Sequence, residues 1–169
     1  RWQSGYMGPV KGWQQYSATQ LDGRPSDIHT FRDGPDSRAG VGTHLKLYAI
    51  KPDGSYQDIT PAGYTAGRAD AGNAFGYGLG AYGLGVYGIS TPATGSVQPP
   101  TNWTLDNFGS FLVACANTDG TLYYWDNVTA TAVMMSGSPT NNQAIVVSEE
   151  RFVFALGAAG NNKLVQWSE

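Results

Sequence analysis

The stretch Trp103-Thr-Leu-Asp-Asn-Phe-Gly-Ser-Phe-Leu-Val-Ala-Cys-Ala-Asn-Thr-Asp-Gly-Thr-Leu-Tyr-Tyr-Trp-Asp126 decides the fold. Phe111 to Cys115 is an apolar run of strand length. Thr121 to Trp125 is a second run, rich in β-branched and aromatic residues. Between them stands Asn117-Thr-Asp-Gly120, and Asp-Gly is a favoured pair where a hairpin needs a positive φ. The stretch therefore predicts two short strands around one tight turn.

The same grammar recurs on both sides. Gly42 to Ile50 alternates as a strand does, Pro52-Asp-Gly54 turns the chain, and Ser55 to Thr60 returns it. Further on come Ala144 to Val147, a turn at Ser148 to Glu150, Arg151 to Leu156, a loop at Gly157 to Asn162, and Lys163 to Trp167. Leu47-Tyr48, Tyr124-Trp125 and Gln166-Trp167 occupy comparable places in these units. Short strands with turns every eight to twelve residues suit a sandwich, a barrel or a propeller, and a repeated strand, Gly turn and aromatic strand favours the propeller blade. The expected class is all-β, with propeller-like blades built from consecutive antiparallel hairpins, as a fragment of a larger propeller. Helix is expected to be scarce: the best window, Gly12 to Leu21, has no 3.6-residue apolar stripe.

Along the chain this gives one all-β region in four parts. Residues 1–40 read as a lead-in rich in Gly and Pro, with a short strand at Asp27 to Arg32. Residues 41–73 form a first hairpin unit. Residues 74–100 are a Gly/Tyr/Pro-rich extended segment, and 101–169 hold further blade-like hairpins. Within the third part, Phe75 to Gly88 places Tyr77, Tyr82 and Tyr87 five residues apart among glycines with no charge. Glycine imposes little backbone preference, so tyrosine contacts have to order this segment. An assembly interface formed by Tyr77, Tyr82 and Tyr87 is the expectation; folding back on the same domain is the alternative.

Composition narrows the function. In 169 residues there are 23 glycines, and only 14 % of residues are charged, with a net charge of −3. That is no footprint for nucleic-acid binding. The single cysteine, Cys115, has no internal partner for a disulfide and reads as a small packed hydrophobe. No segment approaches the roughly 18 apolar residues of a membrane span. The chain opens on Arg1, which points to processing or to a segment of a longer protein.

Searches for chemistry end on turn and strand roles. Gly78-Leu-Gly-Ala-Tyr-Gly83 and Gly83-Leu-Gly-Val-Tyr-Gly88 match the G-x-G-x-x-G pattern, but prolines follow where a dinucleotide site needs a helix. His29 and His44 lack metal-ligand spacing and partner cysteines. Asp53 and Asp119 precede glycines and read as turn residues. Asp106 and Asp126 fall at strand ends, where capping backbone N–H groups is the ordinary use. Asp58 and Asp70 complete a loose set of carboxylates with no pairing evident for glycoside hydrolysis. No catalytic residue, cofactor or metal is expected. Phe111, Leu112, Val113, Cys115, Val146, Phe152, Phe154 and Val165 are expected to supply most of one core.

One resemblance runs through nearly the whole chain. Arg1-Trp-Gln-Ser-Gly5 with Gly12-Trp13, Gly42-Thr43 with Leu47-Tyr48, and Asp58-Ile-Thr-Pro61 come first. The Tyr-Gly stretch and Trp103 to Gly109 with Leu112-Val-Ala114 follow. Leu122-Tyr123 with Trp125-Asp126, Arg151-Phe152 with Leu156-Gly157, and Trp167-Ser168 complete the order. This succession resembles the tail nozzle or tail tubular proteins of short-tailed bacteriophages. The resemblance implies a non-enzymatic structural protein of the virion tail with β-propeller-like portions. It also implies a homo-hexameric ring beneath the portal, contact with neighbouring tail and adaptor proteins, and DNA passing only transiently through the lumen. Members of that family are longer, so the resemblance also implies a fragment or a short relative. The rival reading is a propeller-like adhesin, a receptor- or glycan-binding module with exposed aromatics beside Asp and Asn.

Overall fold

The computed structural model describes residues 12–72 and 99–169, together with the backbone of a two-stranded hairpin, β1 (Trp2–Gln3) and β2 (Tyr6–Met7). No α-helix occurs among the described residues; one 3-10 turn lies at Ala158–Gly160. The rest is strand, turn and loop, arranged as three consecutive antiparallel meanders. The first sheet orders β3 (Pro25–Asp33), β4 (Asp36–Thr43), β5 (Leu47–Ile50) and β6 (Tyr56–Asp58). The second orders β7 (Trp103–Phe108), β8 (Phe111–Ala116), β9 (Leu122–Trp125) and β10 (Val133–Met134). The third has β11 (Ala144–Val147), β12 (Val153–Leu156) and β13 (Val165–Trp167). The protein is thus all-β and blade-like.

Turn chemistry sets the hairpins where the sequence placed them. Gly120 has φ 62 in the Asp119-Gly120 turn and Gly54 has φ 82 after Asp53, a backbone region that costs glycine nothing. Leu47-Tyr48, Tyr124-Trp125 and Gln166-Trp167 fall on β5, β9 and β13, the third strand of each sheet in turn. The first sheet begins earlier than the sequence suggested. Its strands β3 and β4 lie largely inside residues 1–40, so the unit starts at Pro25 and not at residue 41. Strand β7 is not among the expected strands, although Trp103-Thr-Leu-Asp106 alternates apolar and polar side chains as a strand does.

Strand alternation explains the packing. On β8, Leu112, Ala114 and Ala116 point into a core shared with Phe31, Leu47, Ala49 and Ile59 of the first sheet and its flank. Val113 and Cys115 point the other way, into a second core with Ile145, Val153 and Ala155 of the third sheet. The middle sheet is therefore buried on both faces. Gly40 and Gly42 face it from β4 and let the sheets close: a Cβ on Gly40 would stand 2.7 Å from Leu112, and one on Gly42 would overlap the Trp103 ring.

The expectation of a single core is corrected by the same alternation. Leu112, Val113 and Cys115 are buried, but Leu112 belongs to one core and the other two to the next. Phe111, Val146, Phe152 and Val165 are 41 %, 46 %, 41 % and 47 % exposed. Val146, Phe152, Phe154 and Val165 all stand one residue out of phase with Ile145, Val153 and Ala155, which places them on the outward face of the third sheet.

Candidate functional site

The first strands of the three sheets stand side by side, β3 against β7 and β7 against β11. Two carboxylates tie them together. The Leu105 N–H donates to Asp27 Oδ2 at 3.0 Å, and the Val147 N–H donates to Asp106 Oδ2 at 2.7 Å. The first and second sheets each reach across with an Asp on their first strand and satisfy a backbone donor of the next, a charge-assisted bond between elements far apart in sequence. His29 joins the same seam: its Nε2 lies 2.9 Å from Asn107 Oδ1 and 3.8 Å from Asp106 Oδ1. The pairs 27–105 and 29–107 show that β3 and β7 run the same way. Their turns therefore gather at one end of the stack, where a Cβ on Gly109 would stand 3.8 Å from Arg151 of the turn between β11 and β12.

The remaining carboxylates of the sequence search do local work. Asp53 accepts from the Ser55 N–H and hydroxyl, and Asp58 from those of Thr60. Asp126 accepts from the Val128 and Thr129 N–H groups and the Thr129 hydroxyl. These bonds, from Ser55 to Asp53 and from Thr129 to Asp126, hold both carboxyls below the usual carboxylate range. Asp119 accepts from the Thr121 N–H and, at 2.7 Å, from the Tyr123 hydroxyl. Burial pushes the Tyr123 phenol up, and the Asp119 carboxylate pushes it further. Asp70 pairs with exposed Arg24, and His44 Nδ1 accepts from the Arg24 N–H. Only His29 and Asp106 are brought together. Among the described residues no three His, Cys, Asp or Glu side chains form a metal-holding group. Cys115 is fully enclosed, and burial pushes its thiol up to about 12.

Tyr77, Tyr82 and Tyr87, the residues expected at an assembly interface, lie outside the described residues.

Two surface features remain. One is the outward face of the third sheet. Val146, Phe154 and Trp167 stand in one cross-strand row, and Ala144, Leu156 and Val165 in the next. Trp167 is 65 % exposed. The other is a cleft of about 310 Å³ between the second and third sheets, lined by Leu122, Met135, Ser138, Val153, Gln166 and Trp167. It opens beside β13, the third of the described strands of this sheet. Neither Asp27 nor the outward face of the third sheet stands out in the sequence: apolar residues occupy both alternation phases of β11 and β12, the pattern that β8 shows with both faces buried.

Comparison with protein-family models, with curated proteins and with solved structures found no match.

Proposed function

We propose that this chain is a structural, non-catalytic part of the tail nozzle of a short-tailed bacteriophage, contributing propeller blades to a ring around the DNA conduit. The observation that carries the proposal is the stack itself: three blade-like sheets are latched in series by Asp27 and Asp106, and the third presents exposed Val146, Phe152, Val165 and Trp167. The order of sequence motifs from Arg1 to Ser168 supports the same assignment. A net charge of −3 also suits a duct, because neutralising phosphates would add salt-dependent grip on the passing DNA. In this reading the chain works by packing, in a homo-oligomeric ring that meets other tail proteins.

The test is localisation. Antibodies to this chain should label the tail tips of purified particles by immunogold electron microscopy, and particles made without it should keep filled heads but lack a complete tail. Uniform labelling of capsids, or normal tails without the chain, would refute the assignment.

One observation favours the glycan-binding alternative: Trp167 stands exposed at the rim of a cleft that also presents Gln166, Glu169 and Ser138. Aromatic rings beside such groups stack on sugars. A glycan array read with the native protein and with Trp167→Ala separates the readings. The structural assignment expects no glycan signal that depends on Trp167.

A further inference from the structure

We infer that two copies of this chain pair edge to edge through β13, antiparallel, about a two-fold axis at Gln166. The contact goes beyond the structural reading above. It joins like surfaces and closes on two copies, whereas a ring needs contacts between unlike ones, so the two stand or fall on separate tests.

The backbone leads to it. The Gly157 N–H donates to Leu164 O and the Ser168 N–H to Val153 O, both at 2.9 Å. Bonds along an antiparallel strand point alternately to one side and the other, so Val165 and Trp167 turn their N–H and C=O groups away from β12. Among the described residues no strand pairs with that side of β13, and all three of its residues are exposed. A bare strand edge is a template for another strand.

The first two sheets show how such a position is used. Leu47 and Leu122 open β5 and β9 as Val165 opens β13. Each of those leucine carbonyls accepts, at 2.9 Å, from the residue just past the adjoining antiparallel strand, the Ile59 N–H in one sheet and the Met135 N–H in the other. Beside β13 there is room for a strand: Gly137, Ser138 and Pro139 face Val165, Gln166 and Trp167 across a groove of about 470 Å³.

The sequence of the edge selects a second copy of itself. With the axis at Gln166, all three residues of both strands overlap, and every outward N–H and C=O of Val165 and Trp167 finds a partner. Val165 then stands opposite Trp167 of the second copy, a β-branched and aromatic cross-strand pair of the favourable kind. The same register, carried outward along Lys163-Leu-Val-Gln-Trp-Ser-Glu169, sets Lys163 opposite Glu169 of the second copy at both ends. Lys163 and Glu169 are exposed, and among the described residues neither belongs to an ion pair within its own copy. No other charge lies between them. Opposite charges flanking an uncharged strand favour the antiparallel sense and this register. One short strand pair buries far less than the roughly 1,200–2,000 Å² of a standard interface, so the dimer is reversible and the test traps it.

The experiment uses Gln166→Cys in the full chain. Directly opposed residues of a non-hydrogen-bonded antiparallel pair have Cα atoms about 4.5 Å apart, within reach of a disulfide. Native Cys115 is buried and contributes no background. Val146→Cys, exposed on the same sheet but on β11, is the control. Circular dichroism and urea midpoints of both variants should match the parent. With oxidised glutathione, Gln166→Cys should form a disulfide dimer at least several-fold faster than Val146→Cys. Lys163→Glu should slow it several-fold, and adding Glu169→Lys should restore it. In the unmodified chain, raising the concentration should slow hydrogen exchange at the Val165 and Trp167 amides and leave that of Gln166, on the β12 side, unchanged. Equal dimer rates for the two cysteine variants would overturn the proposal in favour of random collision. Unchanged exchange at Val165 and Trp167 where light scattering shows dimers would overturn it in favour of another surface. Either failure leaves tail localisation, tested by labelling particles, untouched.

Discussion

Replacing Gly42 by alanine tests a close approach between the first and second sheets. On chain entropy alone the change should help, because glycine in a strand costs roughly 0.5–1 kcal/mol relative to alanine. The structure reverses the sign. The added methyl would overlap Cβ, Cγ and Cδ1 of Trp103, and that ring has little room to give. Trp103 is 1 % exposed, its Nε1 donates to Thr43 O at 2.7 Å, and the Tyr64 ring lies against it at 5.1 Å between centroids. Overpacking of this kind costs about 1–3 kcal/mol. Losing or bending the buried indole hydrogen bond adds about 1–3 kcal/mol more. Gly42→Ala should therefore destabilise the protein by about 2–4 kcal/mol net. For a chain of this size that is a fall of roughly 5–15 °C in melting temperature. Urea unfolding followed in parallel by fluorescence and circular dichroism measures it, and coincident curves verify two-state behaviour. The same substitution in a Trp103→Leu background should lose most of its cost, because the overlapping ring is gone. A neutral or stabilising Gly42→Ala would refute the reasoning. An equal cost in both backgrounds would place the cause in the strand backbone and not in the ring.

Three further outcomes follow from the same contacts. Leu112→Ala, in a sealed core, should cost about 2–5 kcal/mol, whereas Phe154→Ala, on the open face, should cost about 1 kcal/mol or less by urea midpoint. Asp106→Ala should cost about 1.5–3 kcal/mol and speed hydrogen exchange at the Val147 amide far more than at Leu122, because it removes the acceptor that joins the second sheet to the third. Unchanged exchange at Val147 would dismiss the latch. The carboxyls of Asp53 and Asp126 are depressed in the folded state, so the stability they confer is present above the ordinary carboxylate pKa of about 4 and is lost as pH falls through their lower folded values. The urea midpoint should accordingly fall below about pH 4, and Asp126→Asn should flatten part of that slope.

The sequence by itself determined the local structure. Asp-Gly at 119–120 and 53–54 requires turns, and the runs around them have the length and composition of strands, so the all-β class and most hairpins were legible. The turn role of Asp53 and Asp119 and the strand-end capping role of Asp126 were legible too, since an Asx side chain finds its backbone partner within three residues. What the tertiary structure decided is which face of each strand meets which sheet. An apolar residue in either alternation phase looks the same in sequence, so Val146, Phe154 and Val165 read as core although they lie on the face of the third sheet turned away from the second. The long-range latches were hidden for a similar reason. Asp27 and Leu105 are 78 residues apart, and no local pattern reports that a carboxylate will find an N–H on another sheet. Gly42 shows the same limit: its value lies in the missing Cβ that admits Trp103, and only the meeting of two sheets creates that need.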